Sequence, residues 1–285
     1  MTRIINADKL EKAVIDSIEL MKSWDDRGRN PKVVILMASD NKASERYVTN
    51  KVKMGEKCGI DVEVVRFDNA VYPEEIKEEI DKLNNNKNVD GIILQLPIYE
   101  HLDATDLINQ ICPYKDVDGL TWYSKALLES DKLRLLPCTP QGVLDLLSHE
   151  NVCISGKNVV VIGRGETAGA PMSIMFRNKG ATVTICHSKT SREDLEFYVR
   201  HADIVVSCVG KQNLLDAEWF KEGSVIIGVG FSYDENGKQQ LDFDVDKVVE
   251  LGKVFMVSQR TNCTGKATVL SLMYNTVVAY SRRNK

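Results

Sequence analysis

Several features that mark other protein classes are missing from this chain of 285 residues. Its seven cysteines are Cys58, Cys112, Cys138, Cys153, Cys186, Cys208 and Cys263; the number is odd and no pair has CxxC spacing. That argues against a disulfide framework and a cysteine zinc site, and for a reducing compartment, so a cytoplasmic protein is expected. No run approaches the roughly 18 consecutive apolar residues of a spanning helix, so no membrane partner is expected. The segment from Met1 to Lys9 has no continuous apolar h-region, so no signal peptide is expected. Lysine and arginine (37) do not exceed aspartate and glutamate (41), and the formal charge is -4. Nucleic-acid binding usually shows as a basic domain, so no nucleic-acid partner is expected. The four histidines, His101, His149, His187 and His201, show no metal-ligand spacing, and no metal is expected. Internal repeats and low-complexity tracts are also missing.

What is present is an alternation of strand-like and helix-like segments. Val33–Ala38 is an apolar run rich in β-branched residues, as a buried strand requires. Ser44 to Lys57 has helical character and Gly59 is its stop signal. Val62–Phe67 reads as a strand, Pro73–Leu83 as a charged amphipathic helix and Gly91–Leu96 as a third strand. This is the βαβ rhythm of a parallel sheet covered by helices. Tyr114 to Trp122 reads as an irregular loop. A second alternation follows Pro137-Cys-Thr-Pro140, with strands at Asn158–Ile162, Ala181–Cys186, Asp203–Val209 and Ser224–Val229. At about 100–200 residues per domain the length suggests two domains. The boundary is placed between residues 130 and 140, and the final helix, Thr268 to Ser281, can pack on either domain.

The sharpest local feature is Val159-Val-Val-Ile-Gly-Arg-Gly-Glu-Thr-Ala-Gly-Ala-Pro171. A buried strand runs into Gly163, Gly165 and Gly169, and a helix then begins. Glycines let the chain turn tightly and bring backbone N–H groups to a phosphate, and the helix N-terminus adds a favourable dipole. The spacing GxGxxxG is one residue longer than the usual dinucleotide fingerprint. The bland alternative is a tight turn with no ligand. NAD enzymes usually carry an acid at the end of the next strand, about 20 residues on, for the ribose 2′-hydroxyl. Here that stretch is Ile185-Cys-His-Ser-Lys-Thr190, with no acid. Ser188 and Lys189 suit a 2′-phosphate, with Arg164 as a second cation. NADP is therefore favoured, with NAD possible if Lys189 and Thr190 are only a solvated loop.

A second constellation lies in the first half. Ser44, Tyr47 and Lys51 project from one helical face, beside a stripe of Val48 and Val52. A desolvated lysine loses its proton readily and can then serve in proton transfer. On spacing alone the alternative is an ordinary surface lysine, as Lys53 and Lys57 nearby would be. Gln95-Leu96-Pro97 ends a strand, where ligands gather in open α/β sheets. Asp116-Val-Asp-Gly119 offers carboxylates that can read the donors of a heterocycle. The alternative, a calcium loop, lacks the remaining EF-hand ligands.

Together these segments resemble the methylenetetrahydrofolate dehydrogenase/cyclohydrolase family. The matching pieces are Tyr47-Val-Thr-Asn-Lys51, Gly91-Ile-Ile-Leu-Gln-Leu-Pro97, Lys115-Asp-Val-Asp-Gly119, Pro137-Cys-Thr-Pro-Gln-Gly142, Gly163-Arg164 through Pro171-Met172, Ala181 through Cys186-His-Ser-Lys-Thr190, Asp203-Ile-Val-Val and Asn275-Thr276. They keep family order across nearly the whole chain.

The resemblance implies a fold and a reaction. An N-terminal three-layer α/β domain over residues 1–136, rejoined by a C-terminal helix at 267–285, would face a Rossmann-type doubly wound parallel sheet over 137–266 across a cleft. The implied activity is the oxidation of methylenetetrahydrofolate by NADP to methenyltetrahydrofolate, then hydrolysis to formyltetrahydrofolate, in a homodimer. Lys51 would match the catalytic lysine, Tyr47 would stack on or orient the folate, Gln95 would assist the lysine and Asp118 would bind the pterin. Ser44, Leu96, Pro97 and Gly265 would complete the folate site. Gly163, Arg164, Gly165, Gly169, Ser188, Lys189 and Gly210 would hold the cofactor.

Four positions depart from the family. Gly165 replaces a serine, Ala168-Gly169 replaces Val-Gly, and Ile227-Gly228-Val229-Gly230 lacks the acid of Ile-Asp-Val-Gly. The family's Pro-Gly-Gly-Val-Gly-Pro-Met-Thr loop reads Thr261-Asn-Cys-Thr-Gly-Lys-Ala-Thr268. A dehydrogenase or cyclohydrolase alone, or a folate- or nucleotide-binding protein without turnover, are therefore the alternatives to a bifunctional enzyme.

Overall fold

Two parallel sheets account for the alternation of apolar runs and helices. The structure, a computed structural model, describes residues 1–24, 28–132 and 135–282. In chain order the elements begin β1 (Arg3–Ile5), α1 (Asp8–Ser23), β2 (Lys32–Met37), α2 (Lys42–Cys58), β3 (Asp61–Arg66), α3 (Pro73–Asn85), β4 (Gly91–Leu94), α4 (Ala104–Ile108), α5 (Trp122–Glu129) and α6 (Cys138–His149). They continue β5 (Asn158–Ile162), α7 (Gly169–Asn178), β6 (Thr182–Cys186), α8 (Arg192–His201), β7 (Ile204–Ser207), β8 (Val225–Gly228), β9 (Phe231–Tyr233), β10 (Gln239–Leu241), α9 (Val245–Leu251), β11 (Met256–Ser258) and α10 (Thr264–Arg282). The chain divides into two compact units, Lys12–Cys138 with Val269–Lys285, and Met1–Glu11 with Thr139–Thr268.

The first unit is built on a three-stranded parallel sheet in the order β3-β2-β4. Central β2 is apolar from Val33 to Met37 because both its faces are covered there. Val34 and Leu36 pack with Ile92 and Leu94 of β4 and with Ile76, Ile80 and Leu83 of α3. The alternate residues Val33, Ile35 and Met37 are equally buried on the opposite face. Edge strand β3 is only half-buried. Helix α2 comes so close to β3 that a Cβ on Gly55 would lie 2.3 Å from Val62 Cγ2. The end of α3 is held by buried Lys115, whose ammonium donates to the carbonyls of Leu83 at 2.5 Å and Asn86 at 2.8 Å. A cation there satisfies otherwise orphaned helix-terminal carbonyls.

The second unit holds a six-stranded, all-parallel sheet in the order β1-β11-β8-β7-β5-β6. From β5 the chain goes to β6 on one side and then to β7 on the other, so the strand order reverses beside the C-terminal ends of β5 and β7. That reversal defines a doubly wound, Rossmann-type sheet and its ligand crevice. Its core includes Val160, Ile162, Val205, Ile226 and Val257 from the strands, closed by Trp219, Phe220 and Phe243.

Strands β1 and β11 are among those that escape a reading by periodicity. β1 and β11 have three residues each and pair with one another, Arg3 opposite Met256 and Ile5 opposite Ser258. Their contacts place Met1–Glu11 in the unit that the sequence division starts at residue 137. The altered segment Thr261–Thr268 is loop only to Cys263, since α10 begins at Thr264. Residues 283–285 of the returning helix lie outside the described residues. Among the described residues no helix is long and apolar enough to cross a membrane.

Candidate active site

Helix α2 carries the first part of the site. Asn41 caps its N-terminus, accepting from the N–H groups of Ala43 at 2.8 Å and Ser44 at 3.4 Å. Gly59 ends it in the left-handed conformation at φ 61°. Between the caps, Ser44, Val48, Lys51, Met54, Gly55 and Cys58 form the buried face. Lys51 is thus not a surface lysine: it is 5% exposed. Its ammonium donates to Gln95 Oε1 at 2.8 Å and makes no ion pair among the described residues. Gln95 extends the β2–β4 ladder by one bond, N–H to Leu36 O at 2.9 Å, at the C-terminal edge of the sheet. Its own amide donates to Leu96 O at 2.7 Å, which fixes the side-chain oxygen toward the lysine. Ser44 Oγ is buried with no hydrogen-bond partner. Such an atom is uncommon in a finished core and is what a bound ligand would satisfy. Tyr47 is half-buried on the same helix.

The loop between α4 and α5 separates two carboxylates that look alike in sequence. Asp116 is consumed internally. It accepts from the N–H groups of Gly119 at 2.9 Å, Leu120 at 3.2 Å and Thr121 at 2.9 Å, and from Ser124 Oγ at 2.6 Å. Asp118, half-buried, bonds through its side chain to Cys138. Cys138 Sγ also donates to Val117 O at 3.2 Å. Asn275 of α10 donates to Val117 O and Leu136 O, both at 2.8 Å, and to Cys138 Sγ at 3.6 Å.

The electrostatics follow from this burial. Desolvation lowers the Lys51 pKa, opposed by the nearby Asp118 and Cys138. Desolvation likewise raises Asp118, opposed by Lys51 and reinforced by Asp116. The Cys138 thiol is pushed well above its ordinary value, by burial first and Asp118 second. The cluster therefore holds a lysine inclined to lose its proton beside a carboxyl inclined to keep one.

The second unit carries a cavity of about 520 Å³ at the C-terminal ends of β5, β6 and β7. Gly163, at φ 108°, makes the turn out of β5, and a Cβ on it would meet Cys208 O at 3.1 Å. A Cβ on Gly169 would lie 2.2 Å from Gly163 O, so α7 starts against the turn itself. This is the close approach that a phosphate-binding turn requires. Gly210, at φ 76°, leaves 2.9 Å between its missing Cβ and Phe231 O. Gly165 meets nothing within 4 Å. The wall after β7 is pinned by fully buried Asp242, which accepts from Ser207 Oγ and from the N–H groups of Val209 at 3.0 Å and Lys211 at 2.6 Å.

Of the residues proposed from sequence, Gly163, Arg164 and Ser188 line the cavity. Lys189 is not among the lining residues. Two cations that sequence reasoning passed over, Arg192 and Lys211, are. The signal was available for Arg192, which opens the helix following the diagnostic strand end. Ser44, Tyr47 and Lys51 share α2, and Gln95, Leu96, Pro97 and Asp118 lie in the same unit. Gly265 lies in the other unit, in the first turn of α10. The new residues of the altered segment are anchored there: Lys266 pairs with Asp8 at 2.9 Å and with Glu11, and Asn262 donates to Asp8 at 2.8 Å.

Fold and site define a class: a two-unit α/β protein with a Rossmann-type cavity in one unit and, in the other, a buried lysine bonded to a glutamine at the C-terminal edge of a parallel sheet. Residues 5–118 match the catalytic domain of the tetrahydrofolate dehydrogenase/cyclohydrolase family, and residues 137–284 its NAD(P)-binding domain. The chain belongs to that family. It is 36% identical over 268 residues to the bifunctional protein FolD of Staphylococcus aureus strain Newman, covering 94% of this chain and 91% of the relative. The bifunctional FolD structure from Campylobacter jejuni superposes with TM-score 0.92 at 32% identity, covering 99% of this chain and 100% of that one. The Trypanosoma brucei methylenetetrahydrofolate dehydrogenase-cyclohydrolase, solved with NADP and an inhibitor, gives TM-score 0.93 at 30% identity, covering 100% and 99%.

Proposed function

We propose that the chain oxidises methylenetetrahydrofolate with NADP and hydrolyses the methenyl product to formyltetrahydrofolate, as a cytoplasmic homodimer. The observation that carries this reading is Lys51, buried, bonded to Gln95 and without an ion pair among the described residues. The residues of the second unit fit a dinucleotide. Gly163 and Gly169 permit the tight turn that a phosphate requires, since a Cβ on either would meet backbone atoms, and Arg164 lines the cavity. Gly165, Gly210 and Ser188 would border the bound cofactor, which when present supplies a hydride acceptor.

Removal of hydride from the methylene carbon leaves an amidinium cation on the folate. A lysine held fully charged would oppose that charge, whereas burial drives Lys51 toward the neutral amine. Neutral Lys51 then takes a proton from the water that attacks the methenyl carbon. Collapse of the resulting adduct breaks one carbon–nitrogen bond and leaves the formyl group on the other nitrogen. Gln95 holds Lys51 toward the reacting carbon. Asp118, whose pKa burial raises, pairs with pterin donors and acceptors, and Tyr47 stacks on the folate. Ser44 Oγ, Leu96 and Pro97 border the substrate.

Hydrolysis can be followed with methenyltetrahydrofolate alone, without nicotinamide cofactor. The wild type consumes it, Lys51→Ala does not, and Lys51→Arg, permanently charged, does not restore the activity. Full hydrolysis by Lys51→Ala would remove Lys51 from the reaction.

A further inference from the structure

We propose that Arg192 is the residue that selects NADP over NAD, by binding the ribose 2′-phosphate in the cavity of the second unit. The inference rests on the dinucleotide reading of that cavity and goes beyond it in naming the specificity determinant. Arg192 lines the cavity together with Ser188 and Arg164. It stands four residues beyond Ser188, as the first residue of α8, directly after the strand end where the acid of NAD-preferring sites would lie.

Three observations separate Arg192 from an ordinary surface cation. Its guanidinium lies 4.9 Å from the ring centroid of Trp219, a side chain 5% exposed, so its position is held by packing. It forms no ion pair among the described residues. Asp216, the carboxylate that feels its charge, is already paired with Lys247 at 3.2 Å. The cation is oriented and its donors remain open. Lys189, the other cation near the strand end, does not line the cavity. A planar guanidinium fixed on an aromatic ring suits a phosphate monoester better than a mobile ammonium does.

The test is the purified enzyme and its Arg192→Ala and Arg192→Lys variants, with kcat and KM for NADP and NAD. Binding of 2′,5′-ADP and 5′-AMP is measured alongside by calorimetry. The expected result is a fall of about 10- to 100-fold in kcat/KM for NADP in Arg192→Ala, carried by KM, with NAD kinetics unchanged, as losing a charge-assisted bond requires. Affinity for 2′,5′-ADP falls in parallel, 5′-AMP binding does not move, and Arg192→Lys recovers part of the loss. An unchanged NADP-to-NAD ratio, or equal losses for both cofactors, overturns the proposal. If the wild type turns over neither cofactor, the enzymatic reading fails, and the 2′,5′-ADP against 5′-AMP comparison still decides the role of Arg192.

Discussion

Lys51 stands where a positive charge is costly, and that cost has a measurable signature. Its folded-state pKa is lowered from the usual 10.5, chiefly by desolvation. Between the lowered value and 10.5 the unfolded chain holds more protons than the folded one, so this residue makes stability rise with pH across that window. A Lys51→Met variant lacks the effect. Its stability relative to wild type, measured by denaturant unfolding, is therefore expected to be highest below the lowered pKa and to fall steadily as pH approaches 10.5. A gap that does not change with pH would show that the lysine is not desolvated. By the same linkage, hydrolysis rises with pH through the lowered Lys51 pKa, because the neutral amine is the active form.

The two carboxylates of the Asp116–Gly119 turn give a second test at this scale. Asp116→Asn disturbs four buried hydrogen bonds and is expected to destabilise the fold by about 2–4 kcal/mol. Asp118→Asn is expected to leave the melting temperature nearly unchanged and to raise KM for the folate. The reverse pattern would exchange their assigned roles. Nothing in the local sequence separates the two acids. Their difference comes from the turn, which aims three N–H groups and Ser124 Oγ at Asp116 alone.

At the scale of elements, the turn between β5 and α7 makes a sharp distinction between two glycines of one motif. Gly169→Ala places a methyl 2.2 Å from a backbone oxygen that cannot move without displacing the turn. It is expected to cost about 1–3 kcal/mol and to weaken NADP binding at least tenfold. Gly165→Ala meets nothing within 4 Å and is expected to leave stability unchanged. Thermal unfolding and NADPH fluorescence titration check both. The long apolar strands β2, β4, β5, β7 and β8 and the helices between them were legible in sequence, because burial on two faces writes an uninterrupted apolar run. The three-residue strands β1, β9, β10 and β11 were not, since so few residues carry no periodicity. Lys51 was legible as a candidate through its helical face and the family resemblance. Its burial was not, because Lys53 and Lys57 look the same in sequence, and only packing on the sheet tells them apart.

At the scale of the whole molecule, two of the four departures from the family pattern, Gly228 and the Thr261–Thr268 segment, are absorbed locally. Leu241 fills the space beside Gly228, where a Cβ would lie 2.6 Å from its Cδ1. Thr264 Oγ1 donates to Gly228 O at 2.9 Å. Lys266 and Asn262 tie the altered segment to Asp8 and Glu11. These contacts replace a lost loop with an anchored one, which is why both activities are assigned to the chain. Sedimentation at micromolar concentration is expected to give twice the chain mass, and a monomer would correct the assembly assignment.

The central claim is tested most directly by mixing the purified protein with methylenetetrahydrofolate and NADP, then with NAD, and recording the reduced-nicotinamide and methenyl absorbance bands together. The account predicts reduced cofactor without accumulation of the methenyl compound, faster with NADP. Reduced cofactor with accumulating methenyl compound would contradict the hydrolytic half of the assignment, and no reduction of either cofactor would contradict it entirely.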